Sequence, residues 1–229
     1  MHGTLDEPKF DVLRGIRDQA DLYFDSGDII KSGNLGIPIR PESAWPMLDR
    51  LECTASVLGN RETHILESAF NAKLAGAKHP LLCANLHRKD GTRPLLPHII
   101  VSAQGIRIGI FAVMVPMVTE RMATKAASAY LWDPPFKATS EEVAELRPNV
   151  DLLICLSHIG HRQDQELAER CPEINVIFGG HSHTVLSQPE RVGSTYICQG
   201  GSHNRFAGMY EWHSDGTLTG SLIDMKSKP

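Results

Sequence analysis

Short apolar runs alternate along the chain with stretches whose apolar positions recur at helical spacing. "DLYFDSGD" (21–28) reads as a strand running into a turn, and "ASVLGN" (55–60) as a second strand ending in another. Between them "ESAWPMLDRLE" (42–52) reads as a helix. In "ETHILESAFNAKLAGA" (62–77), Ile65, Leu66, Ala69, Phe70, Lys73 and Leu74 fall at helical spacing and predict a helix over the whole stretch. "PLLCANL" (80–86) is a strand, and "HIIVSAQGIRIGIFAVMV" (98–115) is two strands about a Gln-Gly turn.

Residues 117–137 lack a clean period and contain "DPPF", which predicts an excursion over the surface. A helix start at Thr139 or Ser140 opens "ATSEEVAELRP" (138–148). The strand "VDLLICLSH" (150–158), a helix over 161–170 and "INVIFGGHSHT" (174–184) follow. The tail contains "STYICQGG" and a hairpin turning at Asp215-Gly216. With no internal repeat or convincing linker, the pattern predicts one layered α/β domain spanning residues 1–229.

Bulk properties narrow the function classes. The 229 residues are 41% hydrophobic and 22% charged, an ordinary globular composition, and the net charge of −4 leaves no basic footprint for nucleic acid. No apolar run approaches the ~18 residues of a membrane span, so no membrane partner is expected. Cys53, Cys83, Cys155, Cys171 and Cys198 are odd in number and scattered. They read as buried free thiols of a reducing compartment, which makes a cytoplasmic location the expectation.

Candidate chemistry sits where apolar runs stop. "LYF" runs into Asp25-Ser26-Gly27-Asp28, "SVL" into Gly59-Asn60-Arg61, "LLICL" into Ser157-His158 and "NVIF" into Gly179-Gly180-His181-Ser182-His183. In open α/β sheets ligands bind beyond the carboxyl ends of strands. Four such strands bring Asp28, Asn60, His158, His181 and His183 to one sheet edge. Oxygen and imidazole ligands in that mixture suit Mn, Fe, Zn or Ni in an open site, rather than calcium or a thiolate-bound structural zinc. The Gly-Gly turn frees the backbone to spread His181 and His183 across two ions. His79, His87, His98 and His213 stand alone and receive no role.

The turn "LGNRETH" (58–64) concentrates Asn60, Arg61, Glu62 and His64. An ordinary helix start is one reading, with Thr63 or Asn60 as cap and Glu62 near the positive end of the helix dipole.

In order and spacing, "HG" at 2–3, "GD" at 27–28, "GN" at 59–60, "SHIG" at 157–160 and "GGHSHT" at 179–184 resemble the calcineurin-like metallophosphoesterases, specifically the 5′-nucleotidase branch. "QGGSHNRFAGMYEW" resembles that family's closing strands, so the likeness covers essentially the whole chain. It implies a β-sheet sandwich flanked by helices and two divalent ions roughly 3.5–4 Å apart. His2 and His183 would hold one ion, Asn60, His158 and His181 the other, and Asp28 would bridge them. The centre would supply a hydroxide nucleophile for attack on a small phosphorylated substrate.

Two departures from the family pattern stand out. The family places an Asp two residues before the position of His2, so Met1-His2-Gly3 reads as the tail of D-x-H-G. The resemblance therefore implies that a first strand carrying this ligand is lacking from the chain as given. The family also has G-N-H-E followed by Asp, where this chain has Gly59-Asn60-Arg61-Glu62-Thr63-His64. Arg61 can clamp a phosphoryl oxygen but cannot give up a proton, whereas His64 is a candidate acid. The two are the candidate catalytic residues.

The expected activity is metal-dependent hydrolysis of phosphomonoesters, nucleotides among them. A non-catalytic metal- or ligand-binding relative stays open as the alternative. An amidohydrolase-type enzyme fits less well, because its His-x-His pair ends the first barrel strand, whereas here the pair lies past residue 180.

Overall fold

The computed structural model describes residues 1–226. Helix α1 (Glu7–Arg17) starts where Asp6 accepts from the Lys9 N–H at 3.0 Å, with Pro8 in its first turn. Then come β1 (Phe24–Asp25), α2 (Ala44–Arg50), β2 (Ala55–Val57), α3 (Glu67–Leu74), β3 (Leu81–Leu82) and β4 (Leu86–Arg88). The hairpin β5 (His98–Ala103) and β6 (Ile106–Met114) turns at Gln104 and Gly105, with φ of 50° and 81°. Two positive φ values in succession mark the tight turn that matches strand twist. β7 (Tyr130–Trp132), α4 (Pro135–Leu146), β8 (Leu152–His158), α5 (His161–Arg170) and β9 (Val176–Phe178) complete the middle of the chain. β10 (Glu190–Val192), β11 (Thr195–Cys198) and the hairpin β12 (Phe206–Trp212) and β13 (Leu218–Asp224) close it.

Six strands form the main sheet in the order β10-β11-β9-β8-β6-β5, with β6, β8, β9 and β11 parallel and both edge strands antiparallel. A parallel sheet β1-β2-β3 faces it. Side chains alternate along β6: Ile108, Ile110 and Ala112 pack with Ala55, Val57 and Leu82 between the sheets, while Phe111 and Val113 pack outward against Leu146 and Leu167 of α4 and α5. On the far side, α1 and α2 bury Phe10, Leu13, Trp45 and Leu48 with Ile29 and Ile30. The fold is thus a β-sandwich flanked by helices.

Three expectations shift. The helix drawn over 62–77 begins only at Glu67, because the Glu62 carboxylate accepts from the backbone of Asp28, Ile29 and Ile30 and Thr63 bonds back to the Asn60 carbonyl. The Asn60–His64 cluster is therefore not a helix start. The 117–137 excursion contains the buried strand β7, antiparallel to β4 and too short to show a period. Helix α4 starts at Pro135, before Thr139, since proline suits a first helical turn.

All five cysteines are buried and unpaired. No helix among the described residues is long and apolar enough to cross a membrane. A cavity of about 990 Å³ runs between the open edge of β1 and the β12–β13 hairpin, lined by Ile108, Ile154 and Val176 and also by His2, His158, His181 and His183.

Candidate metal centre

The C-terminal ends of β1, β2, β8 and β9 converge; β8 ends on His158 itself, and the other three deliver their polar residues from the loops that follow. Asp28, His181 and His183 take left-handed backbone angles (φ 55°, 72° and 57°), as does His2 (φ 57°). Such angles are strained for non-glycine residues and concentrate at functional sites.

One group gathers at the buried side. The Asn60 Oδ1 lies 3.1 Å from His158 Nε2 and 3.2 Å from His181 Nδ1, and Asp28 Oδ1 is 3.6 Å from His158 Nε2. The second group sits at the rim, where the Nε2 atoms of His2 and His183 are 3.1 Å apart and Asp28 Oδ2 is 3.9 Å from His2 Nε2. The two Asp28 oxygens thus face different groups. All six residues expected to bind metal meet at one locus.

Protonation states follow from the surroundings. His158 Nδ1 is 2.6 Å from the Ser26 carbonyl, which can only accept. The proton therefore sits on Nδ1, and the Nε2 lone pair faces Asp28 and Asn60. Burial drives the His158 pKa down to about 4, against the raising effect of Asp28. Burial, reinforced by the N-terminal charge, takes His2 to about 4 as well. Both rings are neutral at pH 7, the state in which imidazole binds metal. Separations of 3.1–3.6 Å between ring nitrogens and oxygens suit ligands at about 2.0–2.2 Å from a shared divalent ion. The donor set fits Mn, Fe, Zn or Ni and is too nitrogen-rich for calcium.

The residues behind these groups answer why the 58–64 turn is so polar. Glu62 is fully buried, and its carboxylate accepts the backbone N–H groups of Asp28, Ile29, Ile30 and Gly59 at 2.8–3.0 Å. Burial raises its pKa to about 7, with the Asp28 charge adding to the effect. Lys73, also fully buried, donates to the carbonyls of Arg61 (2.6 Å), Gly33 (2.8 Å) and Asn34 (3.2 Å). Asn34 in turn accepts from Asn60 Nδ2 at 2.9 Å, which turns the Asn60 oxygen toward the imidazoles. Gly59 admits no side chain, since a Cβ there would overlap the Asp28 backbone and crowd Glu62 Oε2.

The two candidate catalytic residues differ. The Arg61 N–H donates to Asp28 Oδ1 at 2.9 Å and its guanidinium to the Lys31 carbonyl at 2.9 Å, which keeps Arg61 against the centre. His64 makes no such contact among the described residues. Its Nδ1 accepts the Leu66 N–H at 3.0 Å, and none of the hydrogen bonds among the described residues joins it to the metal-binding groups. Burial, with Lys73 nearby, lowers its pKa.

Sequence reading passed over Lys73, Asn34 and His203. Lys73 looked like one more position on a helical face, and Asn34 lies in an unremarked loop. The ring of His203 stacks on that of His2, with centroids 4.5 Å apart. Its one signal was "GGSHN", which echoes "GGHSHT".

No family model matches the chain. The metallophosphoesterase YunD of Bacillus subtilis, itself uncharacterized, is 29% identical over 171 residues, 72% of this chain and 36% of its own length. The 5′-nucleotidase of Vibrio cholerae is 30% identical over 185 residues, 70% of this chain and 32% of its own. The chain therefore spans about a third of the length of these curated relatives. Among solved structures, the sulfate thiohydrolase SoxB of Thermus thermophilus superposes with a TM-score of 0.82 at 19% identity, covering 95% of this chain and 42% of that one. The calcineurin-like phosphoesterase YfkN of Bacillus subtilis gives 0.74 at 17% identity, covering 95% and 81%. At such identities the structural likeness is one of fold. Fold and sequence relatives agree: this chain belongs to the calcineurin-like metallophosphoesterases, in their 5′-nucleotidase branch.

Proposed function

We propose that the chain is a metal-dependent phosphohydrolase that cleaves phosphomonoesters, nucleotides among them, at a dinuclear centre. In this reading His2 and His183 hold one divalent ion, Asn60, His158 and His181 hold the other, and Asp28 bridges them. One observation carries it: Asp28 turns its two oxygens toward two separate imidazole groups, 3.6 Å from His158 and 3.9 Å from His2. A bound ion pair supplies a water-derived nucleophile near neutral pH and offsets phosphoryl charge.

The protein groups do the rest. Neutral His158 and His2 present lone pairs, and the Ser26 carbonyl fixes the tautomer of the first. Arg61 brings a permanent positive charge to the edge of the centre, suited to a phosphoryl oxygen. It has no proton to give, and His64 has one nitrogen already engaged by the Leu66 N–H. Leaving groups that need no protonation are therefore favoured, so aryl phosphates should turn over faster than nucleoside monophosphates. An Arg61→His variant should narrow that gap by about a hundredfold, the lower end of a general acid's contribution; an unchanged ratio would refute this role for Arg61.

The direct test uses metal-stripped protein and p-nitrophenyl phosphate, followed by a nucleotide panel. Added Mn²⁺ should restore hydrolysis in the parent and not in His181→Ala. Metal uptake with no hydrolysis of any substrate would instead indicate a non-catalytic metal-binding relative.

A further inference from the structure

Eight non-glycine residues of the described chain have positive φ: His2, Asp28, Glu52, Gln104, His181, His183, His203 and Asn204. Four belong to the proposed metal-binding set. Gln104 turns the β5–β6 hairpin, and Glu52 follows the end of α2. The remaining pair, His203-Asn204 (φ 59° and 53°), forms a tight turn in the loop between β11 and β12, closed by the Arg205 N–H donating to the Ser202 carbonyl at 3.3 Å. The turn accounts for the backbone angles, and what distinguishes it is where it sets its side chains.

The His203 ring lies flat on the ring of His2, with centroids 4.5 Å apart and planes 10° from parallel, and edge-on to His183 at 6.0 Å. Next to it, Asn204 Nδ2 donates to Thr4 Oγ1 at 3.2 Å, and the Thr4 hydroxyl donates to the Met1 carbonyl at 2.8 Å. The same loop is tied to the His183 side, because the Gly201 N–H donates to the Thr184 carbonyl at 2.8 Å. Loop 201–205 is thus fastened to both segments that present the rim imidazoles.

His2 requires such support. A metal-binding imidazole is normally aimed by a hydrogen bond to its other nitrogen. His158 has that bond, from Nδ1 to the Ser26 carbonyl. Among the described residues, none bonds His2 Nδ1, and Nε2 faces His183 and Asp28. A flat aromatic neighbour restricts rotation of the ring where no hydrogen bond does so.

We propose that the His203–Asn204 loop is a clasp that positions His2: the His203 ring sets the His2 plane by stacking, and Asn204 anchors the segment that carries it. His203 acts through His2 as a positioning residue, and its ring nitrogens are not required. The inference rests on the dinuclear reading above.

The test is metal binding by the full chain, followed by calorimetric titration of metal-stripped protein with Mn²⁺ and by the visible absorption of a Co²⁺-loaded sample. Parent protein should take up two ions. His203→Ala should weaken one of the two steps about tenfold and leave the other and the melting temperature unchanged. His203→Phe keeps a stacking ring without nitrogens and should restore parental affinity and the Co²⁺ spectrum. His203→Phe binding as weakly as His203→Ala would overturn the clasp, since the nitrogen would then be what matters. Unchanged binding in His203→Ala would overturn it equally. If the parent takes up fewer than two ions, or if His2→Ala has no effect on uptake, the dinuclear reading itself fails and the clasp fails with it. That result is distinguishable because it is seen without touching His203.

Discussion

The two halves of the candidate centre are built by opposite means. At the buried half, Asp28 and His158 are almost fully enclosed, and every aiming bond comes from a polar group behind them: the Ser26 carbonyl, the Glu62 carboxylate, the Asn34 amide. At the rim, His183 and His203 are exposed, as His181 is beside the buried half. Backbone hydrogen bonds tie residues 2 and 3 to the Asp28 and Ile29 carbonyls, but the His2 ring itself is set by a stacked ring with one side-chain tether nearby. Hydrogen bonds made in low dielectric are stronger and more costly to break than those in water. The buried half is therefore the rigid template, and the rim is the half that substitutions can loosen without unfolding the protein.

Breaking the template should have the largest effect. Glu62→Ala strands four backbone N–H groups inside the protein, which at about 1–3 kcal/mol for each unsatisfied group, partly relieved by rearrangement, destabilises by roughly 4–5 kcal/mol. Urea unfolding should show this loss or find no folded protein at all. A midpoint near that of the parent would mean that the rigid half is less dependent on Glu62 than its geometry implies.

Asp164 sharpens the contrast from behind the His181 loop. Ser157 donates to one of its oxygens, the other has no partner among the described residues, and burial raises its pKa from 3.8 to about 7. With the folded pKa above the unfolded value, the native state binds more protons between those limits. Stability from this group is thus complete below about pH 4, falls as pH rises toward 7, and is flat above. Asp164→Asn should remove that decline, leaving the variant more stable than the parent at pH 8 by on the order of 3 kcal/mol. The difference between the two melting curves across pH isolates Asp164 from Glu62, which titrates in the same window.

A smaller loss is expected from Lys73→Met, which fills the same space but leaves the carbonyls of Gly33, Asn34 and Arg61 without their donor. About 2 kcal/mol of stability should go, together with weaker metal uptake at the Asn60 side, because Asn34 no longer holds the Asn60 amide. Least of all, Asn204→Ala at the rim should cost about 1 kcal/mol, chiefly because alanine tolerates the left-handed angle less well than asparagine. If that substitution destabilised as much as Lys73→Met, the division into a rigid and a loose half would be wrong.

Much of this was legible in the chain. Buried strands such as Leu152–His158 and helix His161–Arg170 follow directly from apolar runs and periodicity, since each is long enough to express its period. Five of the six metal-binding candidates stood out because polar residues right after apolar strands have few structural reasons to be there, whereas His2 was picked out only by the family resemblance. Strand β7 and the late start of α3 were not legible. Three residues carry no period, and before α3 tertiary hydrogen bonds from Asp28, Ile29 and Ile30 to Glu62 override a helical pattern.

The sequence by itself determined the layers of the fold and the inventory of the centre, because hydrophobic periodicity and the order of the polar turns are local properties of the chain. Only the tertiary structure decided how that inventory is aimed. The Glu62 carboxylate reaches Asp28 across 34 positions, Ser26 fixes the His158 tautomer across 132, and His203 meets His2 from the opposite end of the chain. Contacts over such separations depend on which loops the packed sheets bring together, and no local pattern encodes that.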